Sequence, residues 1–171
     1  RFSVSWPRVI PEGRGAVNRR GLDFYSRLVD GLLEAGIRPF VTLYHWDLPL
    51  ALQRSVGGFL SRETPKLFGD YAETVAKALG DRVKDWITLN EPWEHAALGH
   101  LLGEHAPGIH NPWKYLAVAH NQLLGHGMAV ECIRAVRPEA RVGITLSLTP
   151  ILPQPQPPKD LAAAPVADQF G

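Results

Sequence analysis

The sequence lacks features that several classes of protein require. Cys132 is the only cysteine in 171 residues, so no internal disulfide can form, and a reducing compartment is compatible. Lys and Arg number 18 against 17 Asp and Glu, which provides no basic surface for nucleic acid or for an acidic membrane. No apolar run approaches the roughly 20 residues that a spanning helix needs. These shortages favour a globular domain in the cytoplasm, with neither nucleic acid nor a membrane as partner.

Signatures of cofactor binding are also lacking. No glycine-rich phosphate loop follows any predicted strand, so a nucleotide site is not expected. Histidines on a helix bind metal at a spacing of three or four residues, usually with cysteine or carboxylate ligands beside them. The histidines that cluster in this sequence instead recur every five residues, at His95, His100, His105 and His110. We therefore expect neither a metal nor a cofactor.

Both ends of the sequence are abnormal for a complete domain. It opens at Arg1 inside an alternating, strand-like segment without an initiator Met, and it stops at Gly171 just after a helix is predicted to begin. A strand at the open edge of a sheet would leave backbone groups unpaired. We expect residues 1–171 to be a single incomplete domain of a longer protein. The oligomeric state is not predicted.

Strands and helices alternate along the chain, which is typical of a parallel sheet with crossover helices. Strands are predicted at about residues 1–5, 38–44, 83–89 and 142–148. Long helices are predicted at about 18–35, 63–79 and 113–136. Between them we expect a short helix at 48–53 with Asp47 as its cap, a loop at 92–112, and a helix at 160–164 that Pro165 ends.

Apolar residues recur at helical spacing in the first two long helices. The first helix should be capped by Asn18 and should end at Gly36 in the left-handed conformation. Its predicted buried face consists of Leu22, Tyr25, Val29, Leu32 and Leu33. The predicted buried face of the second helix consists of Phe68, Tyr71, Ala72, Val75 and Leu79.

Four strands and about three complete helices make roughly half of an eight-stranded barrel of ~250 residues. A doubly wound sheet would show the same alternation. However, residues capable of chemistry follow two consecutive strands at one end, which is where a barrel places its active site. The sequence therefore predicts an α/β fold, a partial (β/α)8 TIM barrel with about four parallel strands.

The tripeptide Asn90-Glu91-Pro92 directly follows an apolar run at residues 86–89. A carboxyl that can carry a proton would thus lie beside an amide at the tip of a strand. Turn formation alone would also explain Asn and Pro. A saccharide site is favoured because His45 and Trp46 follow the neighbouring strand, and a ring donor and a flat indole suit sugar hydroxyls and C–H faces. A buried aromatic pair is the alternative for these two residues.

Four motifs in consistent order resemble those of glycoside hydrolase family 1, the β-glucosidases and their relatives. They are RFSVSWPR at 1–8, FVTLYHWDLP at 40–49, WITLNEPW at 86–93 and GEHAPG at 103–108. The resemblance implies a barrel enzyme that hydrolyses β-linked glucosides or oligosaccharides with retention of configuration. Two positions depart from the family pattern. Ser147 stands where many members have Asn, and Pro165 interrupts a usually continuous helix.

The resemblance implies a role for each site residue. Glu91 is expected to be the acid/base, and Asn90 to donate to the sugar 2-hydroxyl. Sugar contacts are expected from His45 and Trp46. Trp93 should face the leaving group, and Arg1 should lie against the nucleophilic carboxylate.

The resemblance also implies that the nucleophile is not in this chain, since the family carries it in a later Thr/Ser-Glu-Asn-Gly type motif. The chain by itself is therefore expected to be inactive. Glu94 and Glu104 are nearby carboxyls, for which solvated ion pairing is the expected role. Two alternatives stay open for the parent protein. One is a 6-phospho-β-glycosidase, and the other is a non-catalytic, glycan- or partner-binding relative with the same fold.

Overall fold

The structure is a computed structural model that describes residues 1–150 together with residues 152 and 163. It contains one four-stranded sheet in which every pairing is parallel and the spatial order follows the chain order. The strands are β1 (Phe2–Ser3), β2 (Phe40–Tyr44), β3 (Asp85–Asn90) and β4 (Arg141–Thr145). The predicted α/β class with four parallel strands is confirmed. The first strand is shorter than predicted, although Val4 N still donates to Thr42 O at 2.8 Å.

Helices connect the strands. They are α1 (Trp6–Val9), α2 (Arg19–Glu34), α3 (Leu50–Val56), α4 (Thr64–Leu79), α5 (Pro92–Ala96) and α6 (Pro112–Val136). A 3₁₀ turn at Gly58–Leu60 and a π-helical segment at Ala97–Leu101 complete the described helical structure. None of the described helices is long and apolar enough to cross a membrane. The helix predicted at 160–164 and Pro165 lie outside the described residues, apart from residue 163.

Helix α4 forms the centre of the core. All five residues of its predicted apolar face are buried. Tyr71 stacks on Trp6 with ring centroids 5.0 Å apart. Its buried hydroxyl lies 2.9 Å from the carbonyl of Leu43 and 3.1 Å from that of Val4. One hydroxyl on α4 therefore holds the ends of β1 and β2, which are the ends that carry the predicted site.

The prediction for α2 is correct in part. Leu22, Tyr25 and Val29 are buried, but Leu33 is 40% exposed because it lies in the last turn, beyond the last buried residue of the helix. Asn18 precedes the helix without capping it, since its Nδ2 donates to Arg8 O at 2.9 Å instead. Gly36 has a φ of 71° and ends the helix as predicted.

Two further local predictions are wrong. Asp47 does not cap a helix, because α3 begins at Leu50 with Pro49 before it. The segment 92–112 is not a plain loop, because α5 and the π-helical segment occupy its first half. Both segments are too short to display a helical repeat of apolar residues, and only the position of Pro92 at the first helical residue indicated a helix start.

Candidate active site

The predicted site residues meet at the C-terminal ends of the strands. His45 and Trp46 follow the last residue of β2, and Glu91 follows Asn90, the last residue of β3. The indole Nε1 of Trp46 donates to the backbone carbonyl of Asn90 at 2.8 Å. The ring of His45 packs edge-on against the indole with centroids 5.1 Å apart. The structure thus brings together the residues that the two sequence motifs supplied separately.

The backbone is strained at these strand ends. Among the described residues, only two non-glycine residues have a positive φ, namely Trp46 at 75° and Glu91 at 45°. A side chain in the left-handed region costs roughly 1 kcal/mol or more because Cβ crowds the backbone. Both residues therefore occupy conformations that the local sequence disfavours, and both present their side chains at the same edge of the sheet.

Glu91 is held by its backbone on two sides. Its N–H donates to Thr145 O on β4 at 2.9 Å, and its carbonyl accepts from Glu94 N at 3.0 Å in the first turn of α5. Pro92 is buried as the first residue of that helix. The carboxyl-bearing residue is therefore fixed between a neighbouring strand and a helix start, while its side chain is only half-buried.

Asn90 is oriented by Arg1. A guanidinium nitrogen of Arg1 donates to Asn90 Oδ1, and Arg1 Nε donates to Thr42 Oγ1 at 3.0 Å. Arg1 precedes β1 and so lies where the strands begin. Its side chain therefore extends along the sheet to reach the site. Because Oδ1 of Asn90 is occupied by a charged donor, the amide Nδ2 is the group left to donate to a ligand.

His45 is exposed, and its Nδ1 lies 2.9 Å from the hydroxyl of Ser3 on β1. Sequence reasoning did not select Ser3. A partial signal existed, since a strand places Arg1 and Ser3 on the same face. The pairing of Ser3 with β2 depends on a register between segments about 40 residues apart, which a single sequence does not reveal.

The remaining predicted residues lie farther along α5 and its loop. Trp93 is 41% exposed and lines a cavity of about 170 Å³ with Tyr115 and Leu123 of α6. Glu94 is half-buried and Glu104 is exposed. His105, which the sequence reasoning considered only for a metal, packs against Trp46 with ring centroids 5.8 Å apart.

A buried layer supports the site from behind. His95 on α5 packs edge-on against Tyr44, and its Nδ1 lies 3.0 Å from Nε2 of Gln122 on α6. Burial lowers the pKa of His95 to about 3, with the nearby His100 contributing, so this ring is neutral at physiological pH. The ring therefore connects α5, α6 and the end of β2 without adding charge.

A cavity larger than the one beside Trp93 lies away from these residues. It measures about 620 Å³ and lies along β3 and β4, where Trp86, Val142 and Ile144 line it. Its walls are mainly apolar, and neither Glu91 nor His45 lines it. The cluster of strained backbone and convergent polar groups identifies the candidate site instead.

Known proteins resemble this chain over its whole length. The whole chain, residues 1–171, matches the sequence profile described as Glycosyl hydrolase family 1. It is 47% identical over 170 residues to Beta-glucosidase A of Thermotoga maritima, and that match covers 99% of the chain and 38% of the relative. It is 42% identical over 170 residues to an aryl-phospho-beta-D-glucosidase of Bacillus subtilis, with 99% and 36% covered.

Solved structures show the same likeness. The Thermotoga maritima β-glucosidase in complex with noeuromycin superimposes with a TM-score of 0.92 at 46% identity, covering 99% of this chain and 38% of that one. The four parallel strands are therefore part of a TIM barrel, as predicted. The chain spans less than two fifths of the length of these relatives. On the match of its entire length, the chain belongs to glycosyl hydrolase family 1.

Proposed function

We propose that, in a protein of the relatives' length, this chain supplies the acid/base half of the active site of a retaining β-glucosidase. The observation that carries the proposal is the placement of Glu91. Its backbone is fixed in a strained conformation at the tip of β3, beside an amide that Arg1 orients. The substrates proposed are β-linked glucosides or oligosaccharides, in keeping with the β-glucosidase relative.

In the first step, the carboxyl of Glu91 donates its proton to the glycosidic oxygen as the bond from that oxygen to the anomeric carbon breaks. A second carboxylate, ≈ 5–5.5 Å away, forms a bond to the anomeric carbon, and the aglycone leaves as an alcohol. We assign this nucleophile to the part of the relatives that this chain does not span. In the second step, Glu91 takes a proton from water, whose oxygen attacks the same carbon and releases the nucleophile.

The neighbouring residues supply positioning. Asn90 Nδ2 would donate to the sugar 2-hydroxyl, a bond that strengthens as positive charge develops on the sugar ring. His45 and Trp46 would bind the sugar, because their rings lie beside Asn90. Trp93 would face the leaving group. Arg1, already bonded to Asn90, would also lie against the nucleophilic carboxylate and favour its ionised form.

The test replaces Glu91 by Ala in a full-length protein that contains this chain, with Glu94→Ala as the matched control. Loss of an acid catalyst should slow alkyl glucosides by about 10²–10⁴-fold, while dinitrophenyl glucosides still form the covalent intermediate. Added azide should then restore turnover and give a β-glucosyl azide. An α-glucosyl azide would make Glu91 the nucleophile. Equal losses on all leaving groups without azide rescue would remove its acid/base role.

The 6-phospho-β-glycosidase alternative is kept because one relative is an aryl-phospho-β-glucosidase at 42% identity. We expect the unphosphorylated substrate to be preferred, since the β-glucosidase relative is 47% identical. Rates on nitrophenyl β-glucoside and its 6-phosphate decide between them. Sugar binding without turnover of either substrate would indicate a non-catalytic relative.

We also propose that residues 1–171 alone have no glycosidase activity. The covalent step needs a second carboxylate that we place outside this chain. Assay of the purified 171-residue chain on an aryl β-glucoside, against the same chain with Glu91→Ala, should show no difference. Turnover above that control would contradict the assignment of the nucleophile.

A further inference from the structure

The contact between Ser3 and His45 connects two strands that are distant in sequence. Ser3 is the last residue of β1 and is paired with Thr42 of β2, so its backbone is fixed by the sheet. Its hydroxyl lies 2.9 Å from Nδ1 of His45, the residue that directly follows β2. We propose that Ser3 is a positioning residue that fixes the His45 ring and so presents Nε2 to one hydroxyl of the sugar. This inference rests on the sugar-binding role proposed for His45.

The chemistry of the two groups supports this role. A neutral imidazole has one nitrogen that donates and one that accepts, and the partner of Nδ1 decides which task is left to Nε2. When the Ser3 hydroxyl donates to Nδ1, Nε2 carries the proton and donates to the ligand. When Nδ1 donates to the Ser3 oxygen, Nε2 accepts. A serine hydroxyl allows both arrangements, as a sugar hydroxyl does.

Among the described residues, Ser3 is the only hydrogen-bond partner of the His45 ring. The ring is exposed, and its contact with Trp46 is an edge-on aromatic packing that does not select one ring nitrogen over the other. Trp46 itself is fixed through its indole bond to Asn90. The Ser3 hydroxyl thus orients the ring of His45, as the Asn90 carbonyl orients the indole of Trp46. Without it, the ring could rotate and place either nitrogen towards the ligand.

The test is a double-mutant cycle read by binding as well as by turnover. Ser3→Ala, His45→Ala and the double variant are made in a full-length protein that contains this chain. Affinity for the iminosugar deoxynojirimycin is measured by calorimetry, and kcat and KM are measured on an aryl β-glucoside. Ser3→Ala should weaken binding and lower kcat/KM by about 10-fold, the effect of one lost hydrogen bond of ~1.4 kcal/mol. Ser3→Thr, which keeps the hydroxyl, should recover most of the loss.

The decisive comparison is the His45→Ala background. If Ser3 acts through His45, Ser3→Ala should have no further effect there. The effect should also vanish on the deoxy-glucoside that lacks the hydroxyl bound by His45, identified as the one on which His45→Ala has no effect. Additive losses in iminosugar binding would show that Ser3 has only a structural role and would overturn the inference. If the protein binds the iminosugar but does not turn over the glucoside, the proposed function is wrong. The inference about Ser3 is still tested in that case, because the double-mutant cycle can be read from binding.

Discussion

Charged and polar groups are arranged differently at the two ends of the strands. Where the strands begin, Asp85 is almost fully buried and is bonded to Arg141 through two contacts of 2.6 and 2.9 Å, with Arg38 at 3.2 Å. The hydrogen bonds from Arg141 hold the pKa of the Asp85 carboxyl below its usual value. Where the strands end, Trp46 and Glu91 occupy left-handed conformations, and the Glu91 side chain is half-buried.

We propose that this difference separates stability from function within one layer of the fold. At the beginning of the strands, opposite charges satisfy one another across three neighbouring segments, which joins the sheet. At the end of the strands, backbone strain is tolerated and groups remain free for a ligand. In TIM barrels the two ends have these separate tasks, so a substitution where the strands begin should lower stability, and one where the strands end should lower activity. The following predictions test that separation.

The largest effect is expected for Asn90→Ala. Removal of a donor to the 2-hydroxyl, whose hydrogen bonds strengthen in the transition state, should lower kcat/KM by about 10²–10³-fold. The backbone carbonyl that accepts from Trp46 remains, so the melting temperature should change by no more than about 3 °C. Kinetics of a full-length protein on a β-glucoside and on its 2-deoxy analogue provide the check. A loss of similar size on the 2-deoxy analogue would contradict a contact with the 2-hydroxyl.

The second prediction concerns the buried layer behind the site. His95 has its pKa lowered to about 3 by burial, whereas an unfolded chain would bind the proton near pH 6.5. The unfolded state therefore binds more protons between these values. The free energy of unfolding is unaffected by His95 above about pH 6.5 and falls by roughly 1 kcal/mol per unit as the pH drops towards 3.

Thermal unfolding of a full-length protein between pH 7 and 4 measures this slope. Comparison with His95→Gln isolates the contribution of His95 from that of other groups, including His100, whose pKa burial also lowers. The exposed His110 supplies the control variant His110→Gln, which should keep the wild-type slope. Parallel curves for wild type and His95→Gln would show that His95 does not remain neutral in the fold.

The sequence predicted the strand tips that carry the candidate residues better than it predicted the contacts between those residues. An apolar run that ends in Asn90 and Glu91 marks a strand tip by local pattern alone, and so does the run before His45. The bond from Trp46 to Asn90 and that from Ser3 to His45 depend on register between strands, which local pattern does not encode. Asp47 was assigned to a helix cap because Asp suits that position, yet the helix begins three residues later.

The next prediction tests the beginning of the strands through Asp85→Asn. Loss of the carboxylate removes charge-assisted hydrogen bonds, and the two arginines are about two-thirds exposed, so water can hydrate them. The expected destabilisation is about 1–2 kcal/mol, with kcat unchanged. Asp81→Asn is the control, because Asp81 pairs with Arg82 while 57% exposed and should matter by less than about 0.5 kcal/mol. A fall in kcat with Asp85→Asn would contradict the assignment of stability to the beginning of the strands and activity to their end.

The smallest effect is expected at Glu91 itself, as a gain in stability. Glycine adopts a positive φ without the steric penalty of a side chain. Since Glu91 has a φ of 45°, Glu91→Gly should relieve backbone strain and raise the free energy of unfolding by about 1 kcal/mol. Glu91→Ala keeps Cβ and therefore the strain, so it should not stabilise the protein. Both variants should lose acid/base catalysis equally. Denaturant unfolding of full-length Glu91→Gly and Glu91→Ala measures the difference in their free energies of unfolding. Since both variants lack the carboxylate, this difference reports backbone strain and not charge. Equal stability of the Gly and Ala variants would mean that the left-handed backbone at the strand tip costs the protein nothing.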